Sequence, residues 1–403
     1  MVTTVVAISV VLVLVILVLI FRVQSLIAIA RGSDKKSDGM LNRFNASMFL
    51  VFLIGGMGAC FWYTFAKTED YLLPEAVSIH GKATDHLMLV TMVVIGIVFV
   101  VVSAVLFIFS YMYQYKEGRR ATFYPENSIL ELVWTIIPAI VLTYLVFNGW
   151  KEWTKITTTP NATVLELEKP TEVEIVGQQF FWSVRYPGND NVLGKHYYKR
   201  IDDDNAFGLK VEDTHSWDDF YAPASEKAMY LPVGRKVHLK IRAKDVLHSV
   251  FLPHFRVKMD AVPGTPTEFW FTPTKTTLEM RNELANNPKY QEGDKWKSWN
   301  YEIACTEICG SGHNNMRFNV VVVTQEEYDE WYKNQVPWTV GREDYIKSSL
   351  STIDPDKVKF YNSFAKQFED VEPVEVEPEG TIAGEPVALS DSTAVDSVSS
   401  GDK

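Results

Sequence analysis

The chain has 403 residues, of which 47% are hydrophobic and only 22% are charged, and this length suits two or three domains. With 39 Lys and Arg residues against 50 Asp and Glu residues, the formal net charge is −11 at pH 7. Such an acidic protein is not expected to bind nucleic acid, although the charge also fits a merely solvated surface.

Four apolar runs lie in the N-terminal part, at residues 2–21, 46–66, 87–115 and 132–150, and none of them contains a charged side chain. Because a helix of roughly 20 apolar residues crosses a bilayer, each run predicts a transmembrane helix. We therefore predict a multi-pass protein in contact with membrane lipid.

The charges of the loops predict the topology. Five basic residues lie between Arg22 and Arg43 and three lie between Lys116 and Arg120, whereas the loop after the second run is mainly acidic. The positive-inside rule then makes the first and third loops cytoplasmic, with both termini outside. Signal-peptide cleavage after Ala30 is the alternative, but no basic side chain precedes the first run, and cleavage would leave three spans and invert this topology.

Short strand-like patterns occupy residues 164–323. Residues 237–242 alternate between apolar and polar side chains, and residues 318–323 are rich in valine. Proline and glycine separate such runs at 187–188, 232–234 and 263–264. Many short strands with these turns predict an all-β Greek-key sandwich or barrel.

Two further segments follow this region. Residues 326–368 are rich in Trp, Tyr and charged residues and predict an amphipathic or irregular surface segment. From Glu369 onward the composition is mainly Glu, Pro, Ser, Val and Asp. Because such a segment buries too little apolar surface to offset its ordering entropy, we predict a disordered acidic tail.

Two thiols, an imidazole and a thioether lie close together in the sequence, at Cys305, Cys309, His313 and Met316. The Gly and Asn residues among them favour a loop over a helix. Thiolate and thioether are soft ligands that favour copper, and imidazole also suits copper. His248, which follows the alternating run, is the candidate for the remaining ligand, and two cysteines suggest two coppers that share two sulfurs.

The cysteine pair also has other interpretations. In an oxidising compartment Cys305 and Cys309 suit a disulfide, and a C-x3-C pair also suits a protein that shuttles copper. Cys60 lies in an apolar run and is interpreted as a small hydrophobic residue. We interpret His238 and His254 as ordinary core or surface histidines. The order of the ligand types and the four membrane runs together favour the metal site.

In four motifs the sequence resembles the subunit II family of cytochrome c oxidases. The motifs are the C-x-E-x-C-x3-H-x2-M loop, residues 245–249 (Asp-Val-Leu-His-Ser), residues 258–264 (Lys-Met-Asp-Ala-Val-Pro-Gly) and the membrane segment 130–138. The resemblance implies a transmembrane hairpin that carries a cupredoxin domain. It also implies four parts of the chain: an extra helix pair at 1–67, the hairpin at 68–150, the copper domain at 151–330, and an extension with the tail at 331–403.

The resemblance implies a dinuclear CuA copper centre. Cys305 and Cys309 would bridge the two coppers, and His248 and His313 would each bind one of them. Met316 and the main-chain oxygen of Glu307 would be axial ligands. The Glu307 carboxylate would share a magnesium or manganese ion with the catalytic subunit, because hard cations prefer oxygen ligands.

The implied role is electron transfer within a haem-copper terminal oxidase in the inner membrane of a bacterium. Electrons would pass from a cytochrome c-type donor on the periplasmic face to haem in subunit I, where oxygen is reduced to water and protons are pumped. This chain would itself have no catalytic residue. Glu131 would lie at the cytoplasmic end of a proton pathway, although an acidic residue at a helix start is also an ordinary partner of the helix dipole.

The sequence departs from the family pattern where electrons are expected to enter. The family motif Gln-Trp-x-Trp here reads Gln-Phe-Phe-Trp, with Phe180, Phe181 and Trp182. Thr265 replaces an expected Arg, Ile303 replaces a small residue, and residues 279–299 are an apparent insertion. The electron donor is therefore left open between a cytochrome c and a tethered c-type haem domain.

Three other classes of protein share parts of this pattern. A quinol oxidase subunit II would lack the copper ligands. A copper-delivery protein would need neither Met316 nor the motif at 130–138. A copper domain like that of nitrous-oxide reductase would lack the membrane hairpin. The sequence contains all of these features and disfavours each alternative.

Overall fold

The computed structural model describes residues 2–30, 34–67, 73–116, 118–158, 169–222 and 228–371. The chain divides into two compact units, one of residues 1–72 and 89–143 and the other of residues 73–88 and 144–403. The predicted acidic tail lies outside the described residues from position 372 onward.

Four long helices form in the N-terminal part: α1 (Val2–Ala30), α2 (Asp34–Lys67), α3 (Ile79–Met112) and α4 (Ser128–Thr157). Within the described residues, three stretches are long and apolar enough to cross a membrane: Leu41–Ala66, Ile79–Met112 and Ser128–Thr157. Helix α3 begins before the predicted apolar run, because its first, more polar residues belong to the second compact unit.

The second unit contains, among its described residues, ten strands: β1 (Thr171–Gln178), β2 (Phe181–Tyr186), β3 (Phe220–Tyr221), β4 (Ala228–Pro232), β5 (Val237–Ala243), β6 (His248–Leu252), β7 (Val257–Ala261), β8 (Thr267–Phe271), β9 (Tyr301–Cys305) and β10 (Arg317–Val323). One sheet has the order β3-β2-β1-β5-β8, and the other has the order β4-β10-β9-β6-β7. Strands β1 and β5 run parallel, as do β4 and β10. The predicted β-sandwich is confirmed.

The apolar core lies between the two sheets. Ile175 of β1, Leu239 and Ile241 of β5, and Val250 of β6 are all fully buried in one cluster. The alternating run at 237–242 is therefore a strand, as predicted. Two of its polar residues, His238 and Arg242, are buried as well. Arg242 donates hydrogen bonds to Glu174 and to the main-chain oxygen of Phe207, so the loop after β2 covers part of this sheet's outer face.

The segment predicted as an amphipathic or irregular surface forms three helices, α7 (Gln325–Lys333), α8 (Glu343–Ile353) and α9 (Lys357–Ala365), which fits the amphipathic alternative. Ile346, Leu350 and Tyr361 from these helices are buried in a second apolar cluster with Leu209 and Trp217. The apolar residues are spaced one helical turn apart, which gives each helix a single buried face.

The apparent insertion is also ordered. It contains α5 (Thr277–Leu284) and α6 (Pro288–Gln291). Thr276 and Glu279 form a capping box at the start of α5, which satisfies main-chain N–H groups that lack helical partners. Arg281 donates hydrogen bonds to the main-chain oxygen of Trp299 and to Asn300, and these bonds fix the helix to the start of β9.

Candidate metal centre

Three chain segments meet at one end of the sandwich. Strand β9 ends at Cys305, β10 begins at Arg317, and the loop between them carries the remaining residues of the sequence motif. Strand β6 pairs with β9 in the register Val250↔Cys305. Because His248 is the first residue of β6, this register brings its ring beside the loop.

The predicted soft and imidazole ligands converge there. Cys305 Sγ lies 3.9 Å from Cys309 Sγ and 3.9 Å from Nδ1 of His248. Cys309 Sγ lies 3.6 Å from Nδ1 of His313 and 3.8 Å from Sδ of Met316. All of these side chains except His313 are buried, so the donor atoms face each other rather than solvent.

Glu307 presents its main chain and its side chain to different surroundings. Its main-chain oxygen lies 3.2 Å from Cys305 Sγ. The residue as a whole is exposed, and its neighbour Ile308 is 85% exposed. The main-chain oxygen therefore lies beside the cysteine cluster, while the residue as a whole is exposed to solvent.

The donor set fits copper. Both cysteines are free thiols, so the disulfide alternative is not what the structure contains. One donor atom from each of His248, Cys305 and Cys309 lies within 4.8 Å of the others. Burial, and then the proximity of Cys305, raise the pKa of the Cys309 thiol to about 11. Because a cysteine binds a metal ion as a thiolate, binding of a cation here would release the proton of Cys309.

Asp245 and Gln179, which belong to motifs in the sequence but were given no role there, hold the cluster in place. Asp245 Oδ1 lies 2.9 Å from Nε2 of His248, and its Oδ2 accepts a 2.7 Å hydrogen bond from the main-chain N–H of Gln179. The Gln179 side chain donates a 2.5 Å hydrogen bond to the main-chain oxygen of Cys309. The turn between β1 and β2 is thereby tied to both ligand-bearing segments.

Aromatic rings cover the cluster. The buried Trp182 ring packs edge-on against His248, with 5.8 Å between ring centroids. Phe180 lies against the ligand loop so closely that a Cβ atom on Gly312 would be 2.5 Å from its Cγ. Phe180 and Phe181 are half-buried. A Cβ on Gly177 would be 2.9 Å from Trp182 and 3.0 Å from His248, so this glycine allows the ring packing.

The other predicted residues lie elsewhere. Glu131 is in the first turn of α4, in the first compact unit, and is exposed. His238 stacks on Trp270 at 3.8 Å, and His254 packs against Trp299 and Tyr301. Both of these histidines are structural, as the sequence analysis assumed.

Comparisons with known proteins agree on one family. "Cytochrome C oxidase subunit II, transmembrane domain" matches residues 66–151, and the periplasmic domain of the same family matches residues 171–280. An alternative cytochrome c oxidase subunit 2 from Bradyrhizobium diazoefficiens is 32% identical over 272 residues, which cover 67% of this chain and 87% of that protein. The cytochrome c oxidase subunit 2 of Cereibacter sphaeroides is 28% identical over 171 residues, covering 41% of this chain and 49% of that protein.

Solved structures give weaker likenesses. The periplasmic domain of subunit II of cytochrome oxidase from Bradyrhizobium japonicum is 22% identical, with a TM-score of 0.26 over 40% of this chain and 91% of that chain. A haem-copper terminal oxidase dimer is 16% identical, with a TM-score of 0.28 over 49% of this chain and 99% of that chain. With scores this low, the structural likeness adds nothing to the sequence matches. Those matches show that the chain belongs to the cytochrome c oxidase subunit II family and is a membrane-anchored electron-transfer subunit of a haem-copper oxidase, with a periplasmic copper domain.

Proposed function

We propose that this chain holds a dinuclear CuA centre. Cys305 and Cys309 would bridge the two coppers, His248 and His313 would each bind one, and Met316 and the main-chain oxygen of Glu307 would be the axial ligands. The observation that supports this assignment most directly is the meeting of two free, buried thiols with two imidazole nitrogens and a thioether. A copper pair supplies one-electron redox chemistry when it is bound in such a donor set.

The residues of this chain contribute rigidity and the exclusion of water. Asp245 orients the His248 ring, and Gln179 holds the main chain at Cys309. Trp182 and Phe180 cover the cluster on the side of the β1–β2 turn. Because these contacts fix the ligands in advance, the site needs little rearrangement when its charge changes.

The purified oxidase complex tests this assignment. Wild-type complex should contain two coppers in this subunit, and Cys305→Ser or Cys309→Ser should abolish the signal of an electron shared between two copper nuclei. His238→Gln is the matched control, since His238 lies outside the cluster and stacks on Trp270. A single copper per subunit, or a disulfide between the two cysteines, would contradict the assignment.

We further propose that the Glu307 carboxylate shares a magnesium or manganese ion with subunit I. The exposed position of Glu307 in the ligand loop supports this role, because hard cations bind carboxylate oxygen. Glu307→Gln should leave the copper content almost normal, since the carbonyl remains, and should lower the manganese bound in complex grown with manganese. Loss of copper from Glu307→Gln would show that the carboxylate serves the copper site instead.

We propose a topology of four transmembrane helices, with both termini and the copper domain on the periplasmic face. The continuous helix α1 and the basic residues of the first and third loops support it. In this arrangement 1–67 is an added helix pair, 68–150 is the hairpin, 151–330 is the copper domain and 331–403 is an extension. Glu131 would lie on the cytoplasmic side of the membrane, at the entrance of a proton pathway. Labelling of single cysteines in intact cells tests the location of each loop.

We propose that the electron donor is a tethered c-type haem domain and not a freely diffusing cytochrome c. A basic cytochrome would be attracted by exposed acidic side chains, and the sequence has such residues at 202–204, 212–213 and 218–219. Several of them have structural partners instead. Glu212 pairs with Arg200, Asp202 caps a turn and accepts a hydrogen bond from Tyr345, and Asp219 is buried against Arg185. The half-buried Phe180 and Phe181 and the buried Trp182 occupy the sequence positions of the family's electron-accepting motif.

Turnover with a soluble basic cytochrome c at varied ionic strength tests the donor. A tethered donor predicts slow turnover with little salt dependence, whereas electrostatic steering predicts fast turnover that falls steeply with salt. Fast, salt-sensitive turnover would therefore contradict the tethered donor.

A further inference from the structure

The residues just before and at the start of α3 are joined to the copper domain by main-chain hydrogen bonds. The N–H of Val77 donates to the oxygen of His254 at 2.8 Å, and the oxygen of Val77 accepts from the N–H of Thr274 at 2.9 Å. The N–H of Ile79 donates to the oxygen of Thr272 at 3.1 Å. The first turns of α3 are therefore part of the same compact unit as the sandwich.

Arg256 adds a side-chain clamp at this junction. Its Nε donates a 2.7 Å hydrogen bond to Oδ1 of Asp85, and its Nη2 donates a 3.0 Å hydrogen bond to Oδ2 of the same carboxylate. The guanidinium also donates to the main-chain oxygens of Pro74 and Pro253, each at 2.6 Å. The Arg256 side chain is only 8% exposed. Its two hydrogen bonds to the Asp85 carboxylate fix the orientation of both side chains.

The backbone at Arg256 is in an unusual conformation for a residue with a side chain. Its φ is +56°, in the left-handed region, which glycine adopts more readily. The stem of Arg256 also needs Gly81 beside it, because a Cβ on Gly81 would be 3.1 Å from Arg256 Cγ and 2.6 Å from Ser78 Oγ. A strained backbone conformation persists where the surrounding contacts hold it in place, and such positions are often functional.

The clamp is connected to the copper cluster through one strand. Strand β6 begins at the proposed ligand His248 and ends at Leu252, and Arg256 follows after a single turn, Pro253–Phe255. The same strand pairs with Cys305 through Val250. Strand β6 therefore connects Arg256 to the proposed ligand His248 along the chain, and to Cys305 through its pairing with β9.

We propose that Arg256 is a positioning residue for electron transfer: through Asp85 it clamps the copper domain to the start of α3, and the clamp sets the rate at which an electron leaves this domain for the neighbouring subunit. The rate of electron transfer depends on the distance between the two redox centres. It falls when either centre is held less rigidly in place. The inference rests on the copper site proposed above, so copper must be measured in the same samples.

Three variants of the assembled oxidase test the clamp. Arg256→Gly keeps the left-handed backbone and removes the guanidinium. Arg256→Lys keeps the positive charge, and Asp85→Asn removes only the carboxylate charge. Glu212→Gln is the matched control, because it removes the partner of Arg200 in an ion pair of the same compact unit. The readouts are copper content, the EPR spectrum, the rate of light-triggered electron transfer from copper to haem, and amide hydrogen exchange at residues 77–79.

We expect Arg256→Gly to slow this electron transfer and to speed hydrogen exchange at residues 77–79, with copper content and EPR spectrum unchanged. Arg256→Lys and Asp85→Asn should give intermediate values, and Glu212→Gln should match the wild type. If the electron-transfer rate and the hydrogen exchange at residues 77–79 were both unchanged in Arg256→Gly and in Asp85→Asn, the proposed clamp would be overturned. A wild-type complex without a dinuclear copper signal would instead be a failure of the proposed copper site.

Discussion

Asp245 holds the His248 ring in one orientation. Its Oδ1 lies 2.9 Å from Nε2 of His248, while Nδ1 on the other side of the ring faces Cys305 Sγ at 3.9 Å. The carboxylate favours the proton on Nε2, which leaves a lone pair on Nδ1 for a metal ion. The second oxygen of Asp245 binds the main chain of Gln179, so a single carboxylate orients a ligand and fixes the turn that covers it.

The first prediction concerns this carboxylate. Asp245→Ala removes both contacts and should weaken copper binding by about 10–100-fold, as is typical for a lost partner of a metal-binding histidine. Asp245→Asn keeps only one of the two oxygen acceptors and should fall between Asp245→Ala and the wild type. Copper retention against a chelator measures the effect, and equal retention in Asp245→Ala and the wild type would refute the role of Asp245.

The contact between Phe180 and Gly312 gives a second prediction. Because a Cβ on Gly312 would be 2.5 Å from Phe180 Cγ, Gly312→Ala should lower the stability of the domain by about 1–3 kcal/mol. Gly312 has φ −90°, so alanine introduces no backbone strain there. In the double variant with Phe180→Ala the cost of Gly312→Ala should become smaller, although Cβ of residue 180 would remain 2.9 Å from the added Cβ. Strictly additive changes in unfolding temperature would show that the two residues do not touch.

The buried ion network on the outer face of the first sheet gives a third prediction. Glu174 accepts from Arg185 and Arg242, and Arg185 also contacts Asp219. Burial raises the pKa of Glu174, but the charges of Arg185 and Arg242 lower it more, to about 2. Arg185→Met leaves two buried carboxylates without this partner and should cost about 3–5 kcal/mol.

Arg200→Met is the matched control for that substitution. Arg200 and Glu212 are each 26% exposed, so loss of their ion pair should cost less than about 1 kcal/mol. Chemical denaturation of the oxidase, followed by fluorescence, gives both values. Equal costs for Arg185→Met and Arg200→Met would contradict the importance of burial.

Acid stability gives a fourth prediction. Burial, together with the charge of Arg256, lowers the pKa of His254 to about 4 from the ordinary value of 6.5. Between these values the unfolded chain binds a proton that the folded chain does not, so the free energy of unfolding falls as pH drops from 6.5 towards 4. His196 contributes in the same window, because burial and the charge of Arg242 lower its pKa to about 4.

His254→Gln tests this assignment, since it cannot take up the proton. The unfolding temperature of this variant should fall less between pH 7 and pH 5 than that of the wild type. An identical pH dependence in the two proteins would exclude His254 as a source of acid sensitivity.

The sequence alone was sufficient to predict the candidate ligands, because Cys305, Cys309, His313 and Met316 are close together in the chain and only His248 comes from a distant segment. It was not sufficient for the contacts that support them. Gln179 and Asp245 are 66 residues apart, and no local pattern marks that pair. The closeness of Asp245 to His248 in the sequence was the one available signal.

The outer face of the first sheet shows a second limit. Alternation in β5 predicts that His238 and Arg242 face solvent, yet both are buried. Residues from the loop after β2 and from α8 and α9 cover the sheet and form their own apolar cluster. A period-two pattern reports which side of a strand is apolar, but it does not report whether a later segment covers the polar side.

EPR spectroscopy of the oxidised complex shows whether this subunit holds two coppers between Cys305 and Cys309. We expect hyperfine structure from one unpaired electron shared equally by two copper nuclei, in the wild type and in Glu307→Gln, and its loss in Cys309→Ser. A signal from one copper nucleus in the wild-type complex, or no copper signal from this subunit at all, would contradict it.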